Sequence, residues 1–128
     1  MTLALCCGHA LPDDLYQLER QGTEYRLNGD FNRAQDVQQQ LIQQSDTPVG
    51  HVFALNTIIT QLTWDESLTS LDSPLLSHAS QTLNWCEPRL KQDRNEVLAN
   101  FFCGQASFAL SYFHGLRGNF YQAGKRGT

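Results

Sequence analysis

The chain has 128 residues, and 41% of them are hydrophobic, which is enough for one domain with a packed core. Its net charge of −4 and its scattered basic residues argue against a nucleic-acid partner, because nucleic acid selects a concentrated positive surface. No apolar run approaches the roughly 20 residues of a membrane-spanning helix, so we expect no transmembrane segment.

Residues 1–12 are expected to precede the folded domain. The segment Met1–Ala10 is mostly apolar, and Gly8 and Ala10 place small residues as in the cleavage region of a secretory signal peptide. No Lys or Arg precedes this short apolar part. The sequence therefore leaves two readings open: the tail of an export signal, which implies a periplasmic or secreted protein, or a simple arm on a cytoplasmic one.

Five helices are predicted from apolar residues three to four positions apart, over about residues 13–27, 31–44, 49–62, 74–91 and 95–115. Pro12 and the acidic residues after it favour a helix start. Gly29 favours a turn, and Asp30 can cap the helix that follows. Residues 63–74 are rich in turn formers and should form an inserted loop, and Pro88 should bend or end the fourth helix. We therefore predict an all-α fold.

A glycine turn with a following aromatic and small residue occurs twice. The two stretches, Gly29-Asp30-Phe31-x2-Ala34 and Gly118-Asn119-Phe120-x2-Ala123, have the same internal spacing. This recurrence favours a repeat architecture, because two independent coincidences would otherwise be required.

The region around the first turn resembles a tetratricopeptide repeat (TPR), whose pattern is W-x2-L-G-x2-Y and then A-x3-F. Gly22, Tyr25 and Ala34 match it, whereas Leu18 replaces the Trp and Gln21 replaces the Leu. The resemblance implies antiparallel helix hairpins stacked as a fragment of a right-handed α-solenoid with five to six helices. The domain, residues 13–128, would divide into three hairpins, the second interrupted by the loop and the third incomplete: about 13–48, 49–91 and 92–128.

The same resemblance implies a non-catalytic scaffold that binds a protein or peptide partner. In TPR proteins the first helix of each hairpin lines a concave groove. Positions one or two places off the core stripe of these helices are our candidates for partner binding: Tyr16, Glu19, Thr23, Arg26, Phe53, Thr57, Thr60, Gln105, Phe108 and Tyr112. The outward face of the second helix is polar, nearly uncharged and expected to face solvent: Gln35, Gln38, Gln39, Gln40, Gln43 and Gln44.

A different class of function is kept as the alternative, a small helical ligand-binding domain or enzyme. Its apolar pocket would surround the aromatic helix 95–115 and be lined by Phe101, Phe102, Phe108, Tyr112, Phe113 and Trp85. The sequence lacks a phosphate-binding glycine loop, an H-E-x-x-H motif and a G-x-S-x-G motif. We therefore expect no enzyme, no cofactor and no metal. His51 and His114 would each lie on the first helix of a hairpin, so these two could approach each other.

Cysteines and aromatic residues near the end of the chain give two further expectations. Cys86 and Cys103 occupy apolar helix positions and are expected to be buried thiols, with a mutual disulfide as the alternative in an oxidising compartment. Little chain follows the fifth helix, so we expect an exposed apolar strip that promotes self-association, formed by Phe101, Phe108, Tyr112 and Phe113.

Overall fold

The structure, a computed structural model, describes residues 12–118. These residues form five α-helices: α1 (Asp13–Leu27), α2 (Phe31–Gln44), α3 (Val49–Trp64), α4 (Asp72–Gln92) and α5 (Val97–Leu116). Within 12–118 there is no strand, and the all-α prediction is confirmed. The export-signal segment and the second recurrence after Gly118 lie outside the described residues. No helix in the described part of the chain has the length and apolar character needed to cross a membrane.

The predicted glycine turn is present between α1 and α2. Gly29 has a φ of 78°, in the region that glycine adopts without steric cost. The Asp30 carboxylate accepts a hydrogen bond from the backbone N–H of Arg33 and so caps α2. Gly118, in the corresponding place after α5, has a φ of 80°. Both glycines of the recurring pattern therefore end a helix with a left-handed residue.

The loop predicted over residues 63–74 is much shorter in the structure. Helix α3 continues to Trp64, a 3-10 turn covers Thr69–Leu71, and α4 already begins at Asp72. The Asp65 carboxylate accepts hydrogen bonds from the Ser67 N–H and hydroxyl, which turn the chain locally. Pro74 falls in the first turn of α4, where a missing N–H costs nothing, so the helix can start before it. Pro88 does not end α4, which continues to Gln92.

Helix α3 is the centre of the fold. It contacts all four other helices, while α1 packs on α2 and α4 packs on α5. Its apolar residues cover most of its circumference, as expected for a helix between neighbours. The largest fully buried apolar side chains come from every helix except α1: Leu41, Val49, Val52, Leu55, Leu62, Leu75 and Phe102.

Two glycines allow helices to approach closely in the first half of the chain. A Cβ on Gly22 would lie 2.6 Å from Val37 Cγ1 and 2.7 Å from Phe53 Cζ. A Cβ on Gly50 would lie 2.6 Å from the backbone nitrogen of Ile42. Gly22 therefore permits a close contact of α1 with α2 and α3.

Helices α4 and α5 are joined covalently. Cys86 and Cys103 form a disulfide, so the expectation of two buried thiols is wrong and the alternative is found. Cys86 is fully buried between the helices, and the two Cα atoms are 5.8 Å apart, within the range that a disulfide requires. The same pair of helices carries an ion pair in which Arg117 Nη2 lies 2.8 Å from Asp72 Oδ1.

The exposed strip predicted on α5 is interrupted. Phe108 is exposed, but Phe113 is buried, and Phe101 and Tyr112 are half-buried against the core. Self-association through this helix stays a prediction.

Candidate functional site

Four of the ten candidate residues lie inside the molecule, where α1 meets α3. Arg26 is buried and donates hydrogen bonds to the carbonyl oxygen of Phe53 at 3.3 Å and to Thr57 Oγ1 at 3.4 Å. Its guanidinium carbon lies 4.8 Å from the centre of the Phe53 ring. Glu19 is also buried.

Thr23 joins the two buried charges. Its hydroxyl donates to Glu19 Oε1 at 2.9 Å and accepts from Arg26 Nη2 at 3.3 Å. Burial raises the pKa of Glu19, although the Thr23 hydrogen bond and the nearby Arg26 charge act in the opposite direction. Burial likewise lowers the pKa of Arg26. This polar cluster holds α1 against α3, and its buried members present little surface to a partner.

The other candidates are not brought together into one site. Tyr16 is half-buried on α1, and the hydroxyl of Thr60 on α3 donates to the Asn56 carbonyl. Gln105 and Tyr112 are half-buried on α5, where Phe108 is exposed.

A groove runs between α2 and α4, with α3 as its floor. It contains two separate depressions of about 220 and 280 Å³, which share no lining residue. Six carboxamide side chains line them and define what we call the amide groove: Asn32, Gln35 and Gln38 from α2, Gln61 from α3, and Gln81 and Asn84 from α4. Gln38 is buried, which corrects the expectation that it faces solvent. Thr57, from the original candidates, also lines the first depression.

Two histidines, one from each depression, contact each other. His78 lines the first and His51 the second, and their Nδ1 atoms are 2.9 Å apart. Burial lowers the pKa of both rings, and for His78 the proximity of His51 contributes to a value of about 4. At neutral pH both rings are therefore uncharged, and one Nδ1–H donates to the other Nδ1. The structure thus pairs His51 with His78 of α4 and not with His114.

The groove is nearly free of charge. Among the described residues that line its two depressions, Asp46 is the one charged side chain at neutral pH. A carboxamide offers both a hydrogen-bond donor and an acceptor, as a backbone peptide group does. The arrangement can therefore bind a polar, uncharged chain. It offers almost no charged side chain that could form an ion pair with a charged ligand.

Three of the aromatic residues predicted to line a ligand pocket, Trp85, Phe101 and Phe102, contact one another, and Trp85 also lines the second depression. Phe102 is fully buried, with its ring centre 5.6 Å from those of Trp85 and Phe101 in edge-to-face contacts. This packing gives the ligand-binding alternative no support. Residues 12–118 contain no group of three or more His, Cys, Asp or Glu side chains placed to hold a metal.

The amide groove was missed at the sequence level because its walls come from three helices. A usable signal was present in α2, where Gln35 and Gln38 share a face at a spacing of three. The sequence does not show which residues lie next to that face, because this depends on how α2 and α4 pack on α3.

Comparison of the chain with protein-family models, with curated proteins and with solved structures finds no significant match.

Proposed function

We propose that the protein is a non-catalytic, TPR-like helical scaffold that binds an extended, uncharged peptide segment of a protein partner in the amide groove. The observation that carries this proposal is the set of six carboxamides along the groove, four from α2 and α3 in the first depression and two from α4 in the second. Side-chain carboxamides can hydrogen-bond to the backbone of a peptide whatever its side chains are. A groove with almost no charge does not favour a charged peptide.

The packing order of the helices supports a stacked-hairpin scaffold. α1 and α2 pack on each other, as do α4 and α5, and α3 contacts both pairs. In such a stack each hairpin buries its apolar face against its neighbours, and the faces left over can bind a partner. Because Glu19, Arg26 and Phe53 are buried, we place the peptide between α2 and α4 rather than along α1.

Helix length sets the size of the peptide. Helix α2 has 14 residues, which span about 21 Å at 1.5 Å per residue. An extended chain covers about 3.3 Å per residue, so the groove accommodates about six residues. Phe31 lines the first depression and Trp85 the second, so each can receive one apolar side chain of the peptide.

The disulfide supports the export alternative for the location of the protein, because disulfides persist in oxidising compartments. N-terminal sequencing of the protein made in its natural cell tests this. Mature protein that starts near Leu11 in the periplasm or medium fits the proposal, whereas a retained Met1 in the cytosol contradicts it.

A selection from random heptapeptides tests peptide binding to the full chain. We expect the selected peptides to be uncharged and to lose at least tenfold in affinity when Gln35→Glu or Gln81→Glu places a carboxylate in the groove. Both residues are exposed, so these variants should fold. The matched controls are Gln39→Glu and Gln40→Glu on the same helix α2, outside the groove. Equal affinity for all four variants, or selection of highly charged peptides, would refute the proposal.

A further inference from the structure

The geometry points to a binding site for one divalent transition-metal ion between His51 and His78, in the middle of the amide groove. The two Nδ1 atoms come from different helices, α3 and α4, and converge to 2.9 Å. Imidazole nitrogen is a preferred ligand of Cu²⁺, Ni²⁺ and Zn²⁺ and a poor one for Mg²⁺ or Ca²⁺. This site does not depend on peptide binding.

The spacing of the two nitrogens suits such an ion. With metal–nitrogen bonds of about 2.0–2.1 Å, adjacent nitrogens lie about 2.9 Å apart in tetragonal coordination and about 3.3 Å apart in tetrahedral coordination. The observed 2.9 Å is at the short end of this range. The ring centres are 5.2 Å apart and the ring planes are tilted by 44°. Metal binding requires the ring that donates through Nδ1–H to carry its proton on Nε2 instead, after which rotation of the rings turns both Nδ1 lone pairs toward one ion.

Access and room are also present. His78 lines one depression and His51 the other, so an ion can enter from either side of the pair. The rings are half-buried, and their helices pack directly on each other, which holds the two ligands in place before the ion arrives. Preformed ligands and an entry path are two requirements of a functional metal site.

The site is open. Residues 12–118 supply no cluster of three protein ligands, so water completes the coordination. Open positions leave the ion free to accept a donor atom from a bound molecule, as catalytic and substrate-binding metal sites do. Asp46 lines the same depression as His51 and adds a negative charge that favours a cation there. With two protein ligands, we expect micromolar rather than nanomolar affinity, with Cu²⁺ bound most tightly.

Metal titrations of the full chain test the site. Because Cys6, Cys7 and His9 could also bind these ions, the parent for the experiment carries Cys6→Ser, Cys7→Ser and His9→Ala. Calorimetry with Zn²⁺ at pH 7.5 should show one ion per chain. His51→Asn and His78→Asn should each lower the affinity at least tenfold, and the electron paramagnetic resonance spectrum of bound Cu²⁺ should lose one nitrogen ligand in each.

His114→Asn, on α5, is the matched control and should bind like the parent. Asn can still hydrogen-bond to the remaining imidazole, so circular dichroism should show that both site variants remain folded. A further readout is thermal stability, which Zn²⁺ should raise in the parent and not in the double variant His51→Asn/His78→Asn, because the ion bridges α3 and α4. No saturable binding to the parent, or equal binding to the parent and both site variants, would overturn the proposal.

Discussion

The two ends of the molecule hold their helices together by different means. In the first half, α1, α2 and α3 meet through Gly22 and Gly50 and enclose the buried Glu19 and Arg26. In the second half, α4 and α5 are joined by the disulfide of Cys86 and an ion pair at their ends, and small and aromatic side chains fill the space between them. The sequence predicts both halves simply as amphipathic helices.

This difference shows that two helix hairpins of the same kind can be held together by different interactions. The first half depends on side-chain volume and on a completed set of hydrogen bonds, since Arg26 and Thr57 leave no unsatisfied buried side-chain atom. The second half depends on a covalent bond and therefore on the redox state of its surroundings. Four measurements test this difference.

The largest effect is expected from removal of the disulfide. The double variant Cys86→Ala/Cys103→Ala should lower the free energy of unfolding by about 3–4 kcal/mol, because the bond closes a loop across a sequence separation of 17. Urea unfolding with and without reductant measures this loss. Reductant should lower the stability of the wild-type chain and leave the stability of the double variant unchanged. If the wild-type chain keeps its urea midpoint after mass spectrometry shows that both thiols are reduced, the disulfide does not hold the second half together.

A methyl group added at a close contact should have the next largest effect. Gly50→Ala should cost about 2 kcal/mol, because its Cβ would lie 2.6 Å from the Ile42 nitrogen and 3.0 Å from its Cα, and backbone atoms cannot move aside cheaply.

Gly104→Ala is the matched control from the second half. A Cβ there meets nothing within 4 Å, and alanine favours the helix, so this variant should gain up to about 1 kcal/mol. Chemical denaturation of both variants gives the comparison. Equal effects at the two glycines would mean that the first half is not limited by volume.

The boundary between the halves should be sensitive to acid. The pKa of His78 is about 4 in the folded protein and 6.5 in an unfolded chain, so the unfolded state takes up a proton first as the pH falls. The contribution of His78 to stability should be fully present above about pH 7 and decline between about pH 7 and 4. Because the ring is partly exposed and solvent screens its charge, the decline should be only roughly 1–2 kcal/mol, less than the full shift would give. Denaturation across this range with a chelator present measures the decline. The difference between parent and His78→Asn should shrink at low pH, and a pH-independent difference would contradict this assignment.

The smallest effect is expected at the buried acid of the first half. The pKa of Glu19 is raised by burial above its ordinary 4.5, so the folded state disfavours the charged form and loses stability as the pH rises through 4.5. Glu19→Gln keeps an oxygen for Thr23 and should raise the free energy of unfolding at pH 7 by less than about 1 kcal/mol. Calorimetric melting at pH 7 and pH 4 checks the sign. A loss of stability at pH 7 would show that Arg26 needs the Glu19 charge.

The helices follow from local signals in the sequence. Their periodic apolar residues, the cap at Asp30 and the glycine at position 29 are local signals, read over a few neighbouring residues, and all five predicted helices are present. The role of Gly22 was also predictable, because a glycine inside a helix has a conformational cost that close packing can offset.

Which side chains meet depends on how the helices pack. The disulfide joins residues 17 positions apart, the histidine pair joins residues 27 apart, and Arg26 reaches a carbonyl 27 positions away. The helical period fixes the direction of each side chain around its own axis, but not which neighbouring helix covers that direction. For this reason Arg26 and Gln38, which have polar side chains typical of a surface, became interior residues, and the amide groove appeared only when α2 and α4 packed on α3.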